Sequence, residues 1–364
     1  MVLARVLIAD DSNYGTLSLL IIEQAVFDDC EFMAALTDTF KSKSPASSRI
    51  IADSADIRAI APGIAVLLAQ DFTHAIELAN GYELESCALE SLNEDEWAQF
   101  RAQSNAGILL INQPTTHTTN ADIIKVPSGH ASNGFSRKIG GRNFLWQFVQ
   151  ATQIQPEKQF SQSIIEQRFK RLIAQLQPES TQESTRVEAL KAALQKAKSY
   201  VYHREHEFKP THECASGEQY CAYLIAYVPI NSLVYRVSGI DSMEDILGVI
   251  LGAQASGAGL VVSYEDSSEA EFVAKNASKL GLVAEFVREG AMKCVARFSG
   301  ADCVRYHGGD SRGLDMSDLI YREAAKQAKS LIIKPPLENG RYELLWYYKE
   351  QVISIARAEL LYVR

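Results

Sequence analysis

Cysteine is scarce in this chain. Six are scattered through 364 residues, too few and too dilute to staple a disulfide scaffold. Positive charge is also in deficit: 36 Lys and Arg face 45 Asp and Glu, for a formal net charge of −9. That balance excludes a general attraction to nucleic acid or to an anionic membrane surface. The start lacks the pattern of a secretory signal, because Asp10 and Asp11 interrupt it before any small-residue cleavage site. The expectation is a cytoplasmic protein with reduced thiols. Low-complexity tracts and residue-level repeats are missing too. Long uncharged runs are rare, and the one at 246–264 is about long enough to span a bilayer. Its four glycines argue instead for a helix, a turn and a strand. Ser242 would cap the helix with Asp245 three residues on, and Gly257 and Gly259 would make the turn.

What remains is ordinary globular material, 47% hydrophobic and 22% charged, long enough for two or three domains. Residues 1–150 alternate apolar runs with helical patterns, which implies α/β layering. Strands are expected at 3–9, 64–69 and 108–111, and helices at 17–40, 72–80 and 93–102. Residues 41–55 are Ser-rich and loop-like. Residues 151–212 read as a helical connector, with helices at 160–176 and 185–201 and a capping box from Thr185 and Glu188. A dimerisation arm is the alternative. Residues 213–364 return to α/β, with strands at 222–227, 233–237, 260–263, 282–287 and 331–334. Helices at 243–255, 270–280 and 316–329 complete a small, mostly parallel, Rossmann-like sheet with helices on both faces.

Four segments carry a family resemblance in their order and spacing: DFTHAIELAN at 71–80, AGILLINQPTT at 106–116, VPSG at 126–129 and GFSRKIGGRNFLWQF at 134–148. Together they resemble the last third of the aldehyde dehydrogenase catalytic domain, in particular the glutamate-semialdehyde (pyrroline-5-carboxylate) dehydrogenases of proline catabolism. Residues 231–265 and 340–355 resemble the extra C-terminal domain of long proline utilization A proteins. The chain's ending, ARAELLYVR, departs from that family's pattern. The resemblance implies an α/β protein: a partial aldehyde-dehydrogenase catalytic domain, then a second, Rossmann-like domain that is not catalytic.

Family chemistry uses a cysteine thiolate, a hydride transfer to NAD and a water that releases the acid. The cysteine lies in a segment like GQRCSALRVL. Arg5-Val6-Leu7 matches its end, so counting back places the nucleophile at Met1. The NAD domain and the general-base glutamate would precede it. Arg58 stands where the family has the glutamate that holds the nicotinamide ribose, and a cation cannot accept those hydrogen bonds. The resemblance therefore implies no catalytic residue and no cofactor for this chain alone, with NAD belonging to the family. Substrate contacts carry over to Ser136, Lys138, Gly140 and Gly141, in a loop whose amides would hold a carboxylate. Ser128 and His130 replace family residues nearby, and an empty retained turn is the competing reading.

Three functions follow as alternatives. The chain is a truncated, non-catalytic family member; it is half of a split dehydrogenase completed by an upstream chain, or a homo-oligomer; or it is a binding protein whose Rossmann-like sheet holds a small ligand or partner. Other clusters read as structure. His203, His206, His212, Cys214 and Cys221 fit no familiar zinc spacing. The acidic neighbours of Cys30 would blunt its thiol. The Gly-rich stretch 306–313 reads as a turn before a helix, and Trp346, Tyr347 and Tyr348 as core or interface.

Overall fold

The computed structural model describes residues 6–11, 17–23, 49–50, 65–81, 86–91, 93–112, 164–176, 181–208, 212–213, 221–308 and 314–356. The strands are β1 Val6–Asp11, β2 Leu17–Glu23, β3 Arg49–Ile50, β4 Ala65–Ala69, β5 Ser86–Leu89, β6 Ile108–Ile111, β7 His212–Glu213, β8 Cys221–Pro229, β9 Leu233–Arg236, β10 Leu260–Tyr264, β11 Glu285–Arg288, β12 Cys303–Arg305, β13 Ser330–Ile332 and β14 Tyr348–Ala356. The helices are α1 Phe72–Asn80, α2 Glu94–Gln103, α3 Ile164–Gln175, α4 Thr181–His206, α5 Met243–Ser256, α6 Ser268–Leu280, α7 Ala291–Ala296, α8 Leu314–Lys326 and α9 Gly340–Glu343. The molecule is mixed α/β, as its alternating sequence patterns require.

Among the described residues one sheet has nine strands, in the order β3-β4-β2-β1-β5-β6-β14-β8-β7. Its core packs Phe72, Ile76 and Phe100 of α1 and α2 against Leu67, Cys87, Leu89, Leu109 and Ile111. Two sequence expectations need correction here. Residues 17–23 form a strand paired antiparallel with β1, from Leu17 opposite Asp11 to Ile22 opposite Val6. A continuous apolar run such as LSLLII fits either a buried strand or a helix, and sheet pairing decides. The segment 222–227 forms a strand, but in this sheet and not in the C-terminal one. It runs antiparallel to β14, which in turn lies parallel to β6.

The second sheet is wholly parallel, in the order β11-β10-β9-β12-β13. In chain order that is third, second, first, fourth, fifth, the arrangement of a doubly wound sheet. Period-two alternation divides its side chains. Leu233 and Tyr235 face α5 and α6, while Val234 faces Cys294, Val295 and Ile320 of α7 and α8.

The uncharged run at 246–264 resolves into α5, a turn and β10. Ser242 and Asp245 form the expected capping box, and Gly257 ends the helix at φ 86°. Among the described residues no helix is long and apolar enough to cross a membrane. The capping box expected at Thr185 is absent. Helix α4 already begins at Thr181, and the Thr185 hydroxyl donates to the Thr181 carbonyl one turn back. Strands β12 and β14 had no counterpart in the sequence reading.

Candidate functional site

The nine-stranded sheet places one unusual residue at the carboxyl ends of β5 and β6. Asn112 has φ 56°, a left-handed conformation that asparagine tolerates better than most residues. Its amide donates to Leu89 at 2.8 Å and its side-chain oxygen accepts from the Ser91 amide at 2.9 Å. The Ser91 hydroxyl in turn donates to buried Glu96 at 2.5 Å, and Trp97 Nε1 donates to the Ser91 carbonyl at 2.8 Å. Two parallel strands and α2 are thus tied at the carboxyl end of β6. The expected substrate residues Ser136, Lys138, Gly140 and Gly141 lie outside the described residues. So do Met1, Arg5, Cys30, Arg58, Ser128 and His130.

The parallel sheet has its switch point between β9 and β12, where a doubly wound sheet opens a crevice at its carboxyl edge. Here Ser238 and Asp241, between β9 and α5, meet His307, which follows β12. Asp241 is buried, and its Oδ2 accepts from the Ser238 amide at 2.7 Å. The Ser238 hydroxyl lies 2.9 Å from the same oxygen and 2.7 Å from the His307 carbonyl. His307 Nδ1 stands 3.3 Å from Asp241 Oδ1. Burial pushes the Asp241 carboxyl above the usual range, while Ser238 and His307 pull it back and Asp245 adds to the rise. The buried Tyr235 hydroxyl has no hydrogen bond of good geometry; burial first, and nearby Asp241 second, raise its pKa well above the ordinary phenol value.

Beside this switch point Arg236 is 1% exposed. Its Nη1 donates to Ser263 Oγ at 3.0 Å and to the Glu289 carbonyl at 2.6 Å, and Nη2 reaches Glu265 at 2.9 Å. On the opposite face Arg305 is also 1% exposed and pairs with Glu343, which is 0% exposed. Burial works against the Arg305 charge, and Glu343 and Tyr347 more than restore it.

These groups do not suit the pyrophosphate of a dinucleotide. Such a ligand needs free amides at the first helix N-terminus. In α5 the Asp245 amide is already engaged, donating to Ser242 Oγ at 3.1 Å, and the N-cap amide of Ser242 donates to Asp245 Oδ2 at 3.0 Å. The Asp245 carboxylate in that first turn disfavours an anion there, while Glu244 is paired with Lys196 at 2.8 Å.

The described thiols are free and buried. Burial pushes Cys87 up to about 12, raises Cys303 further, and raises Cys294 against a partly opposing hydrogen bond with Ser263. A thiol held protonated is a poor nucleophile. Cys87, Cys294 and Cys303 are therefore expected to react with a disulfide reagent only after unfolding. Fast labelling of any of the three in native protein, located by peptide mass, would contradict this. Two histidines of the cluster have described side-chain neighbours. His203 Nδ1 lies 3.2 Å from Glu207, and His206 stacks on Tyr202. No group of three or more metal-ligating side chains occurs among the described residues.

No protein-family model matches the chain, and no curated protein matches it. Solved structures do. Proline utilization A from Corynebacterium freiburgense superposes with a TM-score of 0.57 at 20% identity, over 85% of this chain. An NAD+ complex of an aldehyde dehydrogenase from Bacillus cereus gives a TM-score of 0.37 at 14% identity, covering 45% of this chain and 36% of that one. A succinate-semialdehyde dehydrogenase from Burkholderia pseudomallei gives 0.35 at 13%, covering 46% and 37%. The chain spans only 27% of the length of the proline utilization A protein. The likeness is one of fold: it extends over 85% of a mixed α/β chain whose described strands form a nine-stranded sheet and a parallel five-stranded, Rossmann-like sheet.

Proposed function

We propose that this chain is a cytoplasmic, non-catalytic relative of the glutamate-semialdehyde dehydrogenases of proline catabolism. It would correspond to the substrate-side part of the catalytic domain together with the extra C-terminal domain of the long fusion proteins. The observation that carries this reading is a fold likeness reaching over 85% of the chain, which takes in both sheets. Two further points support the absence of oxidation by the chain alone. The described thiols are buried and held protonated. The first helix of the parallel sheet caps itself with the Asp245 carboxylate, which disfavours a pyrophosphate at that end.

A second reading is that the nucleophile and the NAD domain are supplied from outside these 364 residues. One assay separates the two. Purified chain is mixed with NAD+ and glutamate semialdehyde and followed at the nicotinamide absorbance, alone and with a separately expressed cofactor-domain chain. Silence in both is the expected result. Turnover by the chain alone overturns the proposal, and turnover only with the second chain replaces it by the split-enzyme reading.

A further inference from the structure

We propose that Asp302 is an acid-released clamp on the joint between the two sheets. The chain crosses from the nine-stranded sheet to the parallel one over residues 230–232, between β8 and β9. It returns where the helical turn Leu344–Tyr347, which touches α5 through Tyr347, runs into β14. The two crossings lie side by side, and the Ile230 amide donates to the Tyr347 carbonyl at 3.0 Å. Asp302, immediately before β12, ties both. Its Oδ2 accepts from the Asn231 amide at 2.6 Å and the Ser232 amide at 3.1 Å, and its Oδ1 takes Lys349 Nζ of β14 at 2.8 Å. The Asp302 amide donates back to the Ser232 carbonyl at 2.9 Å. The joint has no slack on its other side, because a Cβ on Gly259 would stand 2.2 Å from the Asn231 carbonyl oxygen.

An ionised carboxylate suits this position, because both its oxygens are acceptors and each of these three partners is a donor. Protonation removes the charge that Lys349 answers and turns one acceptor into a donor. Burial alone would raise the Asp302 carboxyl, but Lys349 and the two amides outweigh it and hold the group below the usual aspartate range. A carboxyl lowered by folding contributes in full above its unfolded value of about 3.9, and that contribution is lost as pH falls through the folded range. The other charged groups nearby are engaged elsewhere. Arg297, in the turn ahead of Asp302, pairs with Glu285 and Glu289. Lys329 donates to the Ser299 carbonyl at 3.4 Å. Arg305, farther along β12, pairs with Glu343. Glu350 follows Lys349 on the opposite face of β14. The Cys303 thiol is held protonated by burial. The Lys349 and Asp302 side chains are each 18% exposed, so acid reaches the pair without prior unfolding.

The test uses the full chain and follows hydrogen exchange, corrected for its intrinsic pH dependence, at about pH 6 and about pH 2.5. At the higher pH, Asp302→Asn and Lys349→Met should each speed exchange of the Ile230, Asn231 and Ser232 amides about tenfold, the effect of losing one bond to a charged group. Strands β6 and β10 should keep their protection. In wild type the three amides should speed up by a like factor on moving to the lower pH. In Asp302→Asn, which has no carboxyl to protonate there, they should not. Exchange at the joint that is unchanged in both variants overturns the clamp, as does an acid response as large in Asp302→Asn as in wild type. Loss of protection in β6 and β10 together with the joint also overturns it, since acid would then be unfolding the chain and not releasing the joint.

Discussion

Glu343→Ala is expected to lower stability by about 3–5 kcal/mol, the loss typical of breaking a buried ion pair from one side. Glu343 Oε1 takes Arg305 Nη1 at 2.5 Å and the Tyr347 hydroxyl at 2.9 Å, and Oε2 takes the Leu337 amide at 2.9 Å. Its removal strands the Arg305 cation in a dry interior with only the Lys334 carbonyl and the Tyr347 hydroxyl for company. It also frees the C-terminal helical turn from the end of β12. The measurement is the urea midpoint of the full chain. The double variant Arg305→Met, Glu343→Leu should recover most of the loss, because the cost lies in the unpaired charge and not in the missing pair. A single variant as stable as wild type would mean that Arg305 finds water or another acceptor.

Val352→Pro should cost about 3 kcal/mol or more, with the damage confined to one sheet. Val352 sits in β14 between β6 and β8, opposite Ile108 on one side and Ile225 on the other. Its amide donates to the Gly107 carbonyl at 3.0 Å, a bond proline cannot make. Nearby, Gln351 Nε2 bridges the Ser104 and Ala106 carbonyls at 2.9 Å each, so the β6 side of β14 is held by side chain as well as backbone. Hydrogen exchange should show lost protection in β6 and β8. Strands β9, β10 and β12 should keep theirs, since they belong to the other sheet. Equal loss in both sheets would show that the two unfold as one cooperative unit.

The sequence is most legible where one local signal suffices. Helix α5 announces itself by Ser242, Asp245 and Gly257, and α1 and α2 by Asp71 and Asn93, whose side chains accept from the first turn. Legibility fails where pairing decides. The LSLLII run of β2 has no period of its own, and only its antiparallel match with β1 makes it a strand. Strand β14 hides for the opposite reason. Its Glu350, Gln351 and Ser354 look like surface residues, yet all three are buried between neighbouring strands. In the same way, the Asp241–His307 pair could not be read from spacing, since 66 residues separate its members and only the order of the parallel sheet brings them together. The resemblance points to a carboxylate loop at 134–141, which lies outside the described residues.

The position of β14 has a consequence for biosynthesis. The side chain of Gln351 reaches the Ser104 carbonyl, 247 residues back along the chain. At ribosomal rates of about 5–20 residues per second, β6 waits on the order of ten seconds or more for the strand that will cover its edge. During that interval the backbone groups of Ile108–Ile111 form an open, apolar strand margin in a nascent polypeptide. A chaperone that shields such margins, or a pause that delays release of the first sheet, would therefore govern how much of this protein reaches its native state.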